Sequence, residues 1–442
     1  MTHTHLIRKT LGIKDQNITL ENKISEKKIK NIIHLVYYGK LSYTPKGCKN
    51  CGVVNRSHAD IVKNGTKEST IKLTHINFQP TLLKLKKQRF YCKHCQSTFG
   101  AETNLVNRHC FISNIIKSTI ALELVELQSM TLIAKHLSVS SHTILRQLKQ
   151  IGETMKPNYN YLPEHLSMDE FKSVKNVDAA MSFLFIDAQT HDVIDVIENR
   201  QQAYLSSYFL RYSLQARRKV KTVTMDMYSP YIGLVHQCFP NAEIIIDRFH
   251  IVQLLNRALN QVRIREMKKI RYLRPRDYRK LKRQWKLILK NDWDLNYDDY
   301  YTHRLYDGKV TEYIMLEYLL SLSPALSKSY QIVNRLKWAL KNRRFEYFEE
   351  ALNHAKETVY PQRIRTALTT LEKYLYPIKN AFVYTLSNGP IEGINNKIKN
   401  IKRSGYGYRN FRNLRSRIMI SFTLTTDGLT PKPVYYQDNE AV

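Results

Sequence analysis

The chain has 442 residues, 43% of them hydrophobic and 24% charged, a globular mixture that excludes a mainly disordered protein. Its 70 Lys and Arg outnumber its 38 Asp and Glu, and a net charge of +32 calls for a polyanion to absorb the self-repulsion. Nucleic acid is the leading partner, since the basic residues spread along the chain instead of forming one membrane anchor, and the most apolar stretch, Ile314 to Leu326, is broken by Glu317 and Pro324.

The length suggests roughly three domains. The opening residues, MTHTHLIRKT, lack the apolar core of a secretory signal, so a cytoplasmic chain is expected. Cysteines in that setting are metal ligands or free thiols more often than disulfides. Cys48 and Cys51 form one C-x-x-C and Cys92 and Cys95 another, with 40 residues between. Two-residue spacing lets both thiolates of a knuckle reach one tetrahedral Zn²⁺, and two knuckles complete a closed, structural site. Gly47 and Gly52 allow tight turns at the first knuckle, and alternation in Thr70 to Phe78 predicts strands between the two. Residues 1–110 therefore read as an N-terminal region with a zinc ribbon. Cys110 and Cys238 have no matching partners and read as ordinary buried residues.

Ile115 to Gln150 reads as helical. Leu132, Ile133 and Leu137, with the small Ala134, suit one packed helix, Ser138 to Ser141 a turn with N-caps, and Ile144, Leu145 and Leu148 the core side of the next. That second helix is expected to expose His142, Arg146, Gln147 and Lys149 as a face for phosphates and bases. A plain helical hairpin fits the same pattern. With the ribbon upstream and the net charge, residues 111–160 read as a helix-turn-helix that binds DNA.

From about residue 164 the pattern turns to strands. HLSMDEF, AMSFLFIDA and DVIDVIE are three, then comes a helix over Gln201 to Gln215, then VKTVTMDM, another helix, and AEIIID. Three strands, a helix, a strand, a helix and a strand is the order of an RNase H-like sheet. Phosphodiester hydrolysis and attack by a 3′-hydroxyl both need carboxylates that converge on divalent cations. Asp169 and Asp226 can face one site from neighbouring strands, and Asp187 rivals Asp169. A third carboxylate is expected from a nearby helix. SNGPIEGINNK marks a loop running into a helix with Glu392 in its first turn and Asn395, Asn396 and Lys399 on the same polar face. From Lys397 to Arg417 there are eight Lys or Arg and no acid, so Lys397, Lys399, Lys402 and Arg403 are candidate DNA contacts. Between strand and insertion, Asp247 and His250 read equally as a capped junction or as groups that position DNA, and Tyr228 is left open.

Ile251, Leu255, Ala258, Leu259 and Val262 form an apolar helical stripe, and Arg263 to Lys290 carries thirteen basic residues against Glu266 and Asp277. This run is read as a phosphate-contacting surface. Further helices extend to about Tyr376.

SMDEF, VTMDMYSPY, FPNAEIIIDRFH and SNGPIEGINNKIKNIKRSGYGYRNFRNLRSRI together resemble the insertion-sequence transposases of the ISL-three type. The double C-x-x-C and helix-turn-helix also look like that family's N-terminal modules. The resemblance implies a DDE triad of Asp169, Asp226 and Glu392 binding Mg²⁺ or Mn²⁺, on an α/β RNase H-like core with an α-helical insertion. It implies a division into 161–250 and 381–442 as core, with 251–380 as insertion and a basic tail. The expected activity is binding of terminal inverted repeats, metal-dependent cleavage and strand transfer, by a homodimer on DNA, with no membrane partner, in a bacterial cytoplasm at the nucleoid. A non-catalytic zinc and helix-turn-helix regulator, or a nuclease or resolvase on the same fold, are the alternatives.

Overall fold

The computed structural model describes residues 3–175, 180–425, 428–431 and 435. It forms two compact units, Met1–Lys156 with Ile398–Val442, and Pro157–Lys397. The boundary cuts the segment 381–442, and part of its basic tail lies outside the described residues.

In the first unit a short helix, α1 (His3–Thr10), precedes β1 (Ile18–Ile29) and β2 (Ile32–Leu41), then β3 (Ile61–Ile76), β4 (Gln79–Cys92) and β5 (Thr98–Gly100). The sheet order is β1-β2-β4-β3, with β5 on β4; only β2 and β4 run parallel. Alternation along β3 and β4 buries Ile71, Leu73, Leu83 and Leu85, and Phe90, past a shift in register, joins the same core. Helices α2 (Asn114–Val125), α3 (Met130–His136) and α4 (Ser141–Thr154) follow. Each begins on a serine whose hydroxyl accepts from a backbone N–H two or three residues into the helix: Ser113, Ser129 and Ser140. Ile133, Ala134, Leu137, Ile144 and Leu148 are buried between them.

In the second unit β6 (His165–Lys172), β7 (Met181–Asp187) and β8 (Val193–Ile197) form an antiparallel meander. Two short helices follow, α5 (Gln202–Phe209) and α6 (Leu214–Lys219), where one was expected. Then come β9 (Thr222–Met225), α7 (Ser229–Cys238) and β10 (Glu243–Ile246). The order is β10-β9-β6-β7-β8, with β9 parallel to both neighbours. From Ser182 to Asp187 β7 is buried throughout, as a central strand covered on both faces must be. Phe183, Phe185 and Phe239 meet Phe209 of α5 at ring distances of 5.2 to 6.2 Å.

Helical segments then run from α8 (Arg248–Lys269) through α9 (Pro275–Arg283), α10 (Trp285–Leu289), α11 (Glu312–Ser321), α12 (Pro324–Lys341), α13 (Phe345–Ala355), α14 (Gln362–Lys373) and α15 (Leu375–Val383). The stripe Ile251, Leu255, Ala258, Leu259 and Val262 of α8 is buried among them. The helix α16 (Gly389–Ser404) follows, and α17 (Phe411–Thr423) returns to the first unit. There α4 and α17 pack so closely that a Cβ on Gly152 would lie 2.0 Å from Ser416 Oγ. No described helix is long and apolar enough to cross a membrane.

Candidate active site and cysteine cluster

Backbone register brings the two strand aspartates together. β6 and β9 are parallel, with Ser167 paired to Thr224, so Asp169 and Asp226 lie two residues further along adjacent strands. Asp247 follows the next strand, and its amide donates to Met225 O. Three carboxylates thus lie side by side on three neighbouring strands, Asp169 within β6 and Asp226 and Asp247 just past the ends of β9 and β10. Asp169, Asp226 and His250 line a cleft of about 410 Å³ with Glu170, Arg200 and Tyr228.

The helix α8 starts directly after Asp247 and turns His250 inward, so that its Nε2 lies 2.6 Å from Asp226 Oδ1. The imidazole is not aligned on that oxygen, which is buried and receives no well-directed hydrogen bond. Burial draws His250 down, but the Asp226 carboxylate outweighs it and the net shift is upward. Burial, then the charge of Asp226, lifts Asp169 to about 7. Burial also raises Asp247.

Side chains from the loop and first turns of α16 hold β6. Asn388 accepts from Ser167 Oγ and donates through Nδ2 to Met168 O at 3.2 Å. Asn395 Nδ2 donates to Asp169 Oδ2 at 2.6 Å, while its own Oδ1 is buried with no partner. Glu170, beside Asp169, takes Arg200 at 2.5 Å and the Tyr231 hydroxyl. Asn388, Glu170, Arg200 and Tyr231 were not legible as site residues, because a buried Asn or a paired Glu has no local signature. Glu392 is exposed in the first turn of α16, three residues before Asn395, and does not line the cleft. Among the described residues no three carboxylates or imidazoles there have ligand atoms within 4.8 Å of one another. Asp187 serves a different end: it accepts from Gln189 and Thr190 N–H in the turn after β7.

The chemistry of the donors suits a hard divalent cation. Two close carboxylates repel, and the buried Asn395 Oδ1 lacks a hydrogen-bond donor. Asp169 and Asp226 are placed where they could hold such an ion.

The four cysteines of the N-terminal knuckles have Sγ atoms all within 4.8 Å of one another. Cys48 lies 3.6 Å from Cys95, and Cys51 3.8 Å from Cys92. Tight turns make this possible: Gly52 takes φ +74°, and the Asn50 amide donates to Cys48 Sγ at 3.4 Å. Hydrogen bonding from Ser97 lowers the Cys95 thiol. Four sulfurs at these separations fit a tetrahedral soft-metal site.

On α4, His142, Arg146 and Lys149 are exposed, but Gln147 is buried and donates to Gln150. It stands three residues after Ile144 and so shares the core side. Leu132 is exposed and Leu145 only half-buried, and Cys110 is exposed, not buried. Lys399 and Arg403 are exposed, and Lys397 and Lys402 half-buried. The basic run 263–290 is not one solvated face: Arg263 donates to Leu281 O, and Lys280 sits 3.7 Å from the centre of the Tyr318 ring.

Comparison with known proteins places the chain among relatives and in a family. One relative is the transposase for insertion sequence element IS1001 of Bordetella parapertussis, 25% identical over 335 residues, 74% of this chain and 78% of that protein. A second is an ATP-dependent protease of Lactococcus lactis subsp. lactis, 42% identical over 111 residues. That match covers 25% of this chain, and the chain spans about a third (35%) of the Lactococcus protein's length, so its name carries no activity across. The model of the ISL3-type DDE transposases matches residues 166–418, more than half of the sequence, and the chain belongs to that family.

Proposed function

We propose that this protein binds the terminal inverted repeats of its insertion sequence and cuts DNA at their ends by a DDE mechanism, joining the freed 3′-hydroxyls to target DNA. The observation that carries the reading is the juxtaposition of Asp169 in β6 and Asp226 just past the end of the adjacent β9, with His250 against Asp226, inside the family match. The strand order β10-β9-β6-β7-β8, with one antiparallel meander and two parallel additions, supports an RNase H-like core.

In this reading Asp169, Asp226 and Glu392 hold Mg²⁺ or Mn²⁺, which supplies charge stabilisation to the attacking and leaving oxygens of the displacement. The chain's own residues do the rest. Asn395 fixes the Asp169 carboxylate, His250 restrains Asp226, and the Arg200 pair keeps Glu170 turned aside. Glu392 stands one helical turn before Asn395 on the same face of α16, which supports its assignment as the third acid. Zinc on Cys48, Cys51, Cys92 and Cys95 braces the ribbon. His142, Arg146 and Lys149 of α4 read the repeat, and Lys397, Lys399, Lys402 and Arg403 contact backbone phosphates. We assign the ribbon to residues 1–110, the helix-turn-helix to 111–160, the core to 161–250 and 381–442, and the helical insertion to 251–380. Two ends must be joined together, which favours a homodimer on DNA at the bacterial nucleoid.

The test is cleavage of labelled DNA carrying the element's own ends, with Mg²⁺ or EDTA. Asp169→Asn, Asp226→Asn and Glu392→Gln are each expected to abolish metal-dependent cuts while leaving end binding intact. Normal cleavage by one variant removes that residue from the triad. Binding without metal-dependent cutting by the wild type favours a regulator, and cutting without joining favours a resolvase.

A further inference from the structure

The hairpin between β3 and β4 turns on two residues, since Ile76 pairs with Gln79. Asn77 and Phe78 both take positive φ, +48° and +62°. That is the pattern of a type I′ turn, in which Asn followed by Gly is the favoured sequence. Phe replaces the glycine. A bulky side chain at positive φ is strained, and this one gains nothing from burial: Phe78 is 99% exposed, the most exposed large apolar side chain among the described residues. A scattered surface apolar residue needs no explanation. An aromatic ring held in an unfavourable conformation and wholly in water has two costs and no structural return.

Its position supplies a reason. Near the same end of the hairpin, Lys72 Nζ donates to Ser138 O at 2.9 Å, and His75 Nε2 lies 3.0 Å from Ser138 Oγ. Ser138 has φ +49° and forms the turn between α3 and α4. Phe78 is three residues past His75, within about 10 Å along an extended strand. The hairpin tip that carries the ring thus lies near the turn that leads into α4, whose exposed His142, Arg146 and Lys149 form a basic face. Basic residues that grip phosphates together with one bare apolar ring are the means by which architectural proteins unstack a base step and bend a duplex.

We propose that Phe78 is a wedge that inserts between base pairs of duplex DNA held by α4. The inference rests on the reading of the helix-turn-helix as the end-binding module. Lys72 and His75 hold the hairpin against the turn before α4, so the wedge meets the duplex at a fixed distance from the bases that α4 reads.

The experiment compares the full-length wild type with Phe78→Gly and Phe78→Leu on duplexes carrying the element's end. A fluorescent adenine analogue, placed at successive positions, reports unstacking, and an end-to-end energy-transfer pair reports bending. The wild type is expected to brighten one position beside the α4 footprint and to shorten the duplex. Phe78→Gly is expected to lose both signals and to weaken binding about tenfold, toward the low end for loss of one aromatic–base stack. It is also expected to raise the melting temperature by about 2 °C, because glycine relieves the strained φ. Phe78→Leu, still apolar, is expected to keep part of the bend. Wild-type binding with no unstacked position, or an unchanged signal in Phe78→Gly, overturns the wedge. Loss of self-association in Phe78→Gly with DNA signals intact overturns it in favour of a contact between copies. Failure of the wild type to bind the duplex at all removes the end-binding reading itself, and the wedge with it.

Discussion

His250 Nε2 lies 2.6 Å from Asp226 Oδ1, so the first turn of α8 sets an imidazole on a carboxylate at the end of β9. The contact joins two sequence motifs that are 24 residues apart only because β10 returns the chain to the edge of β9. In the proposed mechanism it makes His250 a restraint on an acid that would hold the metal. Groups that orient a metal ligand typically contribute 10–100-fold in metal affinity or activity. His250→Ala is therefore expected to slow cleavage by about 10–100-fold and to raise the divalent-ion concentration giving half-maximal rate. Asp226→Asn is expected to leave no cleavage. Equal losses in the two variants would give His250 a direct role instead.

Asn395 makes the corresponding contact to Asp169, donating at 2.6 Å from α16. Asn395→Ala removes that hydrogen bond and leaves Asp169 against the charge of Asp226. Cleavage is expected to fall about 10–100-fold, with end binding unchanged. Asn395→Asp sets a second carboxylate against Asp169, and is expected to make the cleft depend more steeply on divalent ions. Metal titrations of cleavage for the three proteins check both statements; a change in end affinity instead of metal dependence would refute them.

The pairs Asp169–Asp226 and Cys48/Cys51–Cys92/Cys95 were legible in the sequence because each is written locally. An acid at the end of an apolar run marks a strand end, and C-x-x-C marks a knuckle. What was not legible depends on distant packing. Gln147 looked like a base-reading side chain, and only the side on which α4 meets its neighbours shows it buried. Arg417 looked like one more cation in a basic tail. It is 1% exposed, and its guanidinium donates to Glu126 O at 2.6 Å and Gln128 O at 2.8 Å. Those carbonyls lie in the link between α2 and α3, so a residue 291 positions away pins that link in the first unit. No periodicity within α17 announces that, and the segment 381–442 consequently read as a single piece of the catalytic core.

Removing the metal from the cysteine cluster is expected to act on one unit alone. The fold of the ribbon depends on four thiolates that repel or oxidise without an ion, and structural zinc contributes on the order of 10 kcal/mol to small domains. Cys92→Ser is expected to lose one bound zinc per chain and to leave residues 1–156 open to protease. The unit 157–397 is expected to keep its own unfolding transition. Zinc release to a chromogenic chelator, followed by limited proteolysis, checks this; a protected N-terminal unit without zinc would show that its apolar core suffices.

Lys337 gives a stability prediction far from the cluster. It is 4% exposed on α12, donates to Leu289 O at 3.2 Å, and burial draws its ammonium down to about 8. The unfolded chain holds that proton to about 10.5, so between the two values the unfolded state binds more protons and stability rises with pH. Below about 8 both states are charged, and the folded one bears the desolvation cost. Lys337→Met removes the charge but leaves Leu289 O without its donor, a loss of roughly 1 kcal/mol. The variant is therefore expected to gain on the order of 1–2 kcal/mol over wild type at pH 7. The gain should shrink as pH rises through 8 and vanish or reverse toward 10.5. Melting curves of both proteins across that range measure the difference, in which every other titration cancels. A difference that does not move with pH would show that Lys337 stays charged in the fold and that its bond to Leu289 O, with the solvent around it, outweighs the burial.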